Sequence, residues 1–547
     1  MNIDKRKRWC YNQRMQTPKE TEKMNAIRAA LKWLQKTLSR KELICLCLIA
    51  GLCVGLLAHG FMFANKIPNH DDLYYYADLD NAGIHSGRYF LHIFWKLFSD
   101  LSTPWLNGIL GVIFLCFASF FLCETFEIRR RGGALAMILL VQSYPVNVSI
   151  YCYMYEAHVF MLGLTLAAAA AWLIKTQKGW LRYALAAGAI VMATGIYQVY
   201  VMYAIGLLIL LVIRETAASA GKTTARKIWG FAISCAAVAV AGLLLYMIGL
   251  KLLQTVGNIQ LNDYQGIDQT GSLSIGLIPQ KIADAYDKVW RFFVKNPPDY
   301  VSGRMQIFRL PLAALGVLAL GVSAVRCFVR KAPMHGVLVI ICALLLPLAC
   351  CGIYFMGDEI DMIHMITMYP LILVLILPAV LIHPQEKRSL RSLAALGMLC
   401  LYLGYGFQCV ILDNQAYYRH YLSYTRAEHM AERVAMRIEE LPEYRPGAKV
   451  AVAGYINAEE SVIFFEYDIA SRFLPFVGLR MEVDYFWNYC LPNLLSRVIG
   501  LPVTGAGDWQ PTDEQAQVIR SMPCYPEEGS IAFVDDICIV KFSDEEN

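Results

Sequence analysis

Long uninterrupted runs of apolar residues constrain this chain more than any other feature. A helix needs about 20 apolar residues to cross the hydrocarbon core of a bilayer, and about 17 is the lower limit. Runs of roughly this length or more occur at 43–64, 106–122, 228–250, 310–327, 337–355, 366–382 and 393–412. With 57% hydrophobic and 17% charged residues, the composition also departs from that of soluble domains. The sequence therefore predicts an all-α polytopic membrane protein.

The lysines and arginines indicate which loops face the cytoplasm. Residues 1–41 carry twelve Lys or Arg against three acids, so this basic N-terminal segment is predicted to be cytoplasmic and not a nucleic-acid-binding arm. The loops predicted to return to that side are also basic, at 127–131, 175–178, 214–227, 326–331 and 383–391. The outer loops between them include 65–104 and 254–306, and they hold most of the acids near the membrane.

In two stretches, the number of spans has to be inferred from the side of the membrane on which the flanking loops are predicted to lie. Residues 134–174 are interrupted at 143–149 and are predicted to form two spans. Residues 183–213 are too long for one span and short for two, yet both flanking loops are basic. We therefore predict two short helices, or a re-entrant pair, that turn near 195–198. Non-helical backbone at membrane depth has to be covered by protein or a water-filled cavity, so an outward-facing cavity is implied. The count becomes about eleven spans within residues 42–412.

The C-terminal region, residues 413–547, is predicted to be a small extracytoplasmic α/β domain. Apolar residues recur at helical spacing from Tyr418 to Leu441, which predicts an amphipathic helix. Strand-like runs follow at 449–453, 530–534 and 537–540. The sequence contains no nucleotide-binding loop, no zinc motif and no internal repeat.

Adjacent carboxylates follow the first span. Asp71 and Asp72 lie in the run Asn-His-Asp-Asp-Leu-Tyr-Tyr-Tyr at 69–76, which includes Tyr74. A solvated surface loop is one interpretation. The other is an acid–base site, because a carboxylate near a low-dielectric boundary and beside a second carboxylate can have a raised pKa and act as a general base. The same pair could hold a divalent cation, Mg²⁺ or Mn²⁺.

Arg88 and three further groups are predicted to lie at the outer face. Arg88 is either an interfacial anchor or a ligand for a phosphate, which its planar guanidinium can bind with paired hydrogen bonds. Glu156 and His158 are costly near an apolar span unless they face a cavity or a partner. The remaining candidates are Tyr155 beside Glu156, Tyr197 and Gln198 at the predicted turn, and a polar turn with Asp358, Glu359, Asp361 and His364.

Four short motifs, in their order and topology, resemble those of the bacterial type II glucosyltransferases of O-antigen modification. They are Asn-His-Asp-Asp at 69–72, Ser-Gly-Arg-Tyr at 86–89, Ser-Tyr-Pro at 143–145 and Tyr-Gln at 197–198. The resemblance covers roughly residues 40–412. One departure is that residues 365–370 lack the basic residue expected near the outer end of a late span. Binding of a donor phosphate would then depend on Arg88 or on Arg304.

The resemblance implies a multi-pass enzyme of the C-type glycosyltransferase superfamily in the bacterial cytoplasmic membrane. Such enzymes move a sugar, here expected to be glucose, from a polyprenyl-phosphate carrier to a cell-surface glycan at the outer face. Asp71 or Asp72 would then be the catalytic base. Two other classes stay open: a transporter or flippase for a polysaccharide or lipid-linked sugar, with Glu156 and His158 as an ion relay, and a polysaccharide polymerase or ligase.

Overall fold

The computed structural model shows a mostly helical bundle followed by a small sheet. It describes Asn25 and residues 29–75, 83–98, 101–261, 273–295, 300–358, 365–382, 389–454, 490–507 and 509–544. The helices are α1 Arg40–Ala64, α2 His70–Tyr75, α3 Tyr89–Phe98, α4 Pro104–Thr125, α5 Arg131–Gln142, α6 Val146–Cys152, α7 Ala157–Thr176, α8 Leu181–Ile196, α9 Tyr200–Ser219, α10 Ala225–Val256, α11 Ile278–Trp290, α12 Gly303–Val329, α13 Pro333–Cys350, α14 Ile372–Leu381, α15 Ser389–Glu439, α16 Leu491–Asn493 and α17 Asp513–Ser521.

Eight of these helices are long and apolar enough to cross a membrane, and the bent pair α5 and α6 would make a ninth. The protein is thus a multi-pass membrane protein, as predicted. Two shorter apolar helices, α8 and the segment Met365–Leu381, lie at the predicted fifth and tenth spans. Since both are shorter than the eight helices above, the count of about eleven stays a prediction.

The two interruptions predicted from the sequence are present. The pair α5 and α6 bends by 46° around Ser143 to Pro145. α8 ends at Ile196 and α9 begins at Tyr200, so the chain turns where the sequence predicted. The prediction of two short helices was wrong for the second of them. The helix continues past Ile213, where the predicted apolar stretch ends, and α9 has 20 residues.

Three helices form the centre of the bundle. In the most apolar 18-residue stretch of α4, α7 and α9, 61%, 72% and 67% of the residues are buried inside the protein, against 28% in α10. Small residues permit the close approach of helices here: a Cβ on Gly108 of α4 would lie 2.2 Å from the ring of Phe63 in α1. Because α1 leads into α2, this contact fixes the direction in which the chain leaves the bundle.

The C-terminal helix and sheet differ in part from the prediction. A single 51-residue helix, α15, passes through residue 412, where the sequence predicted a boundary between domains. Four strands follow: β1 Ala448–Ala453, β2 Val503–Gly505, β3 Ile531–Val534 and β4 Ile537–Lys541. Their order is β2-β1-β4-β3, with β1 parallel to β2 and β4, and β3 antiparallel to β4. Three of these strands match predicted runs; the three-residue β2 was too short to be recognised.

Candidate functional site

Hydrogen bonds at the start of a helix position the two adjacent aspartates. Asn69 precedes α2, and its side-chain oxygen accepts a hydrogen bond of 2.8 Å from the backbone N–H of Asp72. The Asp72 carboxylate accepts one of 3.2 Å from the backbone N–H of Asn69 in return. This reciprocal pair is a capping box, which satisfies two N–H groups that a helix start leaves without partners. It places Asp71 on the first turn of α2, immediately beyond the end of α1.

Asp72 is buried and held by several donors. Besides the Asn69 N–H, its carboxylate accepts a 2.9 Å hydrogen bond from the Ser102 hydroxyl and one from the backbone of Tyr155. Burial raises the pKa of Asp72 to about 7, with a smaller contribution from the neighbouring Asp71 charge, while the donors oppose the shift. Asp72 is 3% exposed, whereas Asp71 is only partly buried. Asp71 is therefore the more accessible of the two carboxylates.

Glu156 adds a third carboxylate to this region. It lies at the residue before α7, is 4% exposed, and accepts a hydrogen bond from the side chain of Tyr155. Burial raises the pKa of Glu156 to about 8; the Arg88 charge opposes the rise, and the charges of Asp71 and Asp72 add to it. Because the charges of Arg88, Asp71 and Asp72 all act on Glu156, these four side chains lie in the same region.

A turn with two left-handed glycines presents Arg88. Gly83 and Gly87 have φ angles of 76° and 74°, a left-handed conformation that favours glycine, and the Arg88 N–H donates to the Gly83 carbonyl at 2.8 Å. The turn is held by Gln198, between α8 and α9, and by Tyr246 of α10. Gln198 Nε2 donates to the Ser86 carbonyl at 2.6 Å, and the Tyr246 hydroxyl donates to the Gly87 carbonyl at 3.1 Å.

The Arg88 guanidinium lies over the ring of Tyr197, with its central carbon 4.8 Å from the ring centroid. Such cation–π contacts hold a guanidinium in one orientation while its N–H groups stay directed to other partners. Tyr197 is itself fixed by T-shaped contacts with Phe160 and Tyr200, at 5.4 Å for each pair of ring centroids. The predicted pair Tyr197 and Gln198 therefore supports Arg88 from both sides: one contacts its side chain, the other its turn.

The C-terminal region approaches the same carboxylates. Burial raises the pKa of the Cys490 thiol, and the Asp71 charge raises it further. A charge has to be near a thiol to have this effect, so α16 lies close to the first turn of α2. This proximity between residues more than 400 positions apart could not be read from the sequence.

The structure does not bring every predicted residue to this site. Arg304 is exposed near the start of α12, and within the described ranges no hydrogen bond or ion pair joins it to Arg88 or to the carboxylates. His158 is fully buried in α7 with its ring against Phe98, and neither ring nitrogen has a hydrogen-bond partner among the residues described. Tyr74 lies in α2, but its side chain is outside the described residues.

The fourth predicted group is separate from the carboxylates. Asp358 accepts hydrogen bonds from the backbone N–H and the hydroxyl of Ser274, at 2.7 and 2.5 Å, which lower the pKa of Asp358. It therefore ties the turn after α13 to the segment before α11. Glu359, Asp361 and His364 lie outside the described residues.

Sequence reasoning missed two contributors. Ser102, which donates to Asp72, lies in an unremarkable polar run 30 residues downstream. Tyr246, in the middle of an apolar span, stacks on Tyr89 with ring centroids 5.6 Å apart and holds the turn at Gly87. An isolated tyrosine in a span resembles an ordinary core residue, so its role can be recognised only from its contacts in the structure.

The described residues contain no cluster of three or more His, Cys, Asp or Glu side chains arranged to hold a metal ion. Chemically, the site combines an accessible carboxylate, two buried carboxylates and an oriented guanidinium. It lies at the end of α1 and the start of α7, opposite the basic end of the bundle where Lys175 of α7 pairs with Glu127 and Glu215. Such a set can accept a proton from a hydroxyl and bind an anionic group.

One comparison with known proteins gives a result on the family. No curated protein matches the sequence. The family model described as Glucosyl transferase GtrII matches residues 60–377, more than half of the chain, and this range includes Asp71, Arg88, Glu156 and Tyr197. The family resemblance predicted from the motifs is therefore confirmed: this membrane protein belongs to the GtrII glucosyl transferase family.

Proposed function

We propose that the protein transfers glucose from a polyprenyl-phosphate carrier to a cell-surface glycan at the outer face of the bacterial cytoplasmic membrane. The main support for this proposal is the proximity of Arg88, Asp71 and Asp72 to Glu156 at one end of the bundle. A lipid-linked donor explains why this chemistry lies at a membrane surface. It is also consistent with the lack of a nucleotide-binding loop in the sequence.

In the proposed reaction, an acceptor hydroxyl attacks the anomeric carbon of the donor sugar. The bond from that hydroxyl oxygen to the anomeric carbon forms, and the bond from the anomeric carbon to the phosphate oxygen breaks. The hydroxyl proton goes to a carboxylate, and the polyprenyl phosphate leaves with the electron pair. Because a phosphate is already a competent leaving group, a base is the main requirement.

Asp71 is the proposed base and Asp72 a positioning residue. The Asp72 oxygens already accept from Asn69, Ser102 and Tyr155, so they are poorly placed to contact an acceptor. Asp71 lies on the same turn and is more accessible. If a Mg²⁺ or Mn²⁺ ion takes part, Asp71 and Asp72 are the residues that would hold it, and its charge would offset that of the phosphate.

Arg88 is proposed to bind the donor phosphate. Its guanidinium is oriented by Tyr197, and its charge lies close enough to Glu156 to oppose the rise in the pKa of that carboxyl. A planar guanidinium can bind two phosphate oxygens at once, which fixes the orientation of the leaving group. Arg304, the other candidate from the sequence, lacks such an arrangement and is exposed.

The test uses membranes that contain the full chain and the cell's own surface glycans. Polyprenyl-phosphate glucose labelled in the sugar is added, and UDP-glucose labelled in the same way is the control, in membranes that lack the enzyme making the lipid-linked sugar. We expect the label to move from lipid to glycan with the first donor alone. Label that crosses the membrane still attached to the lipid would instead indicate a flippase. Joining of whole glycan chains would indicate a polymerase or ligase.

A further inference from the structure

A cavity of about 400 Å³ lies at the basic end of the bundle, at the opposite end from the carboxylates. Its walls come from residues 31–37, the start of α5, the end of α9, the end of α14 and the start of the described side chains of α15. This volume is within the usual range for ligand pockets in proteins. The proposed transfer reaction does not use the cavity.

One wall of the cavity holds a buried arginine with an unsatisfied donor. Arg214 is 6% exposed; its Nη1 donates to the Val380 carbonyl at 2.9 Å and its Nη2 to the Glu127 carboxylate at 3.0 Å. Its Nε has no hydrogen-bond partner among the described residues. The Nε is enclosed by protein atoms, so a ligand in the cavity would meet the positive charge of the guanidinium and not this N–H.

A second arginine in the lining lacks an acidic partner. Arg130 is half-buried, and its backbone pairs with Thr37 in an isolated antiparallel bridge. Within the described ranges its side chain forms no ion pair, whereas the adjacent Arg129 is paired with Glu124 at 2.6 Å. Arg130 and Arg214 therefore supply positive charge that the surrounding carboxylates do not fully balance.

The remaining walls are apolar. Leu31 and Leu34 close the cavity from the N-terminal side, while Ala136, Leu399 and Ile382 line the bundle side. Nearby, the Arg131 guanidinium lies over the ring of Trp33 with its central carbon 4.3 Å from the centroid, and basic and aromatic side chains of this kind are typical of a membrane interface. A ligand that suits this lining has an anionic head and an apolar body.

We propose that this cavity binds an anionic phospholipid, with the headgroup phosphate near the guanidinium groups of Arg130 and Arg214 and the acyl chains along the leucines. Basic pockets between membrane helices are known to bind anionic headgroups. A soluble anion would use the two arginines but gain nothing from the apolar walls. The lipid would hold the segment 31–37 against α5 and α15.

The test measures thermal unfolding of the purified full chain in a neutral detergent during titration with a lipid. The probes are phosphatidylglycerol, phosphatidylcholine with the same acyl chains, and glycerol phosphate without acyl chains. We expect phosphatidylglycerol to raise the midpoint temperature and the other two to have little effect, because a ligand bound only by the folded state stabilises it. An equal shift with phosphatidylcholine or with glycerol phosphate would overturn the proposal.

Variants locate the effect in this cavity. Arg130→Gln should weaken the response to phosphatidylglycerol about fivefold in half-maximal concentration, as expected from losing one basic residue near the headgroup. Ala136→Leu should reduce it by filling the cavity, and it serves if Arg130→Gln does not fold. Lys178→Gln is the matched control, because it removes one exposed charge at the same end of the bundle. A wild-type response from both cavity variants would refute the site.

Discussion

At the scale of single residues, two arginines are candidates for binding the proposed donor phosphate, and their surroundings differ. Arg88 is oriented by Tyr197, while Arg304 is exposed and apart. Arg88→Lys should lower kcat/KM for the lipid-linked donor by about 1–3 kcal/mol in transition-state free energy, because a point charge cannot replace the paired hydrogen bonds of a guanidinium. Arg304→Lys should leave it unchanged. Full activity of a normally expressed Arg88→Ala protein would remove Arg88 from the site.

Asp72 makes the stability of the fold depend on pH. Its pKa of about 7 in the folded protein lies above the ordinary value of 3.8, so the folded state binds the proton more tightly than the unfolded state. The contribution of Asp72 to stability is then complete below about pH 4 and is lost as the pH rises through 7. We expect the unfolding temperature to fall between pH 5 and pH 8, and Asp72→Asn to flatten this dependence. An equal slope in both proteins would contradict the assignment.

At the scale of helices, one glycine contact lies where the chain leaves α1 toward the carboxylates of α2. Gly108→Ala would force a Cβ to 2.2 Å from the ring of Phe63, two residues before the chain leaves α1 toward α2. Overpacking of this kind costs about 1–3 kcal/mol. Gly60→Ala is the control, since a Cβ there meets nothing within 4 Å. We expect Gly108→Ala alone to lower the unfolding temperature of the detergent-purified protein; equal effects of the two changes would argue against this contact.

The sequence predicted those elements that leave a local signal. Apolar length and loop charge predicted the spanning helices, and the breaks near 143–149 and 195–198 followed from polar residues and parity. The sequence did not predict that α15 continues through residue 412, because its C-terminal half changes from apolar to amphipathic without any helix-breaking residue. In the site, Asp71, Arg88 and Gln198 came from motifs. Ser102, Tyr246 and Cys490 could not be predicted from motifs, because their roles arise from packing between distant segments.

At the scale of the whole molecule, the central expectation is the orientation of the bundle. The carboxylate site and the basic end lie at opposite ends, and the positive-inside rule predicts that the basic end is cytoplasmic. A reporter enzyme that is active only outside the cytoplasmic membrane should be active when fused after Asp544. A reporter enzyme that is active only in the cytoplasm should be active when inserted at Lys222. A cytoplasmic C-terminus would place the carboxylates on the wrong side for a surface glycan.

The base at the centre of the proposed reaction can be tested in one measurement. Asp71→Asn keeps the size of the side chain and some hydrogen bonding but cannot accept the acceptor proton. With equal amounts of protein in the membrane, Asp71→Asn should lower glucose transfer from the polyprenyl-phosphate donor by roughly 10²-fold or more. Asp284→Asn, which changes a half-buried aspartate in α11, should transfer at the wild-type rate. Near-normal transfer by the Asp71→Asn protein would contradict the assignment of Asp71 as the base.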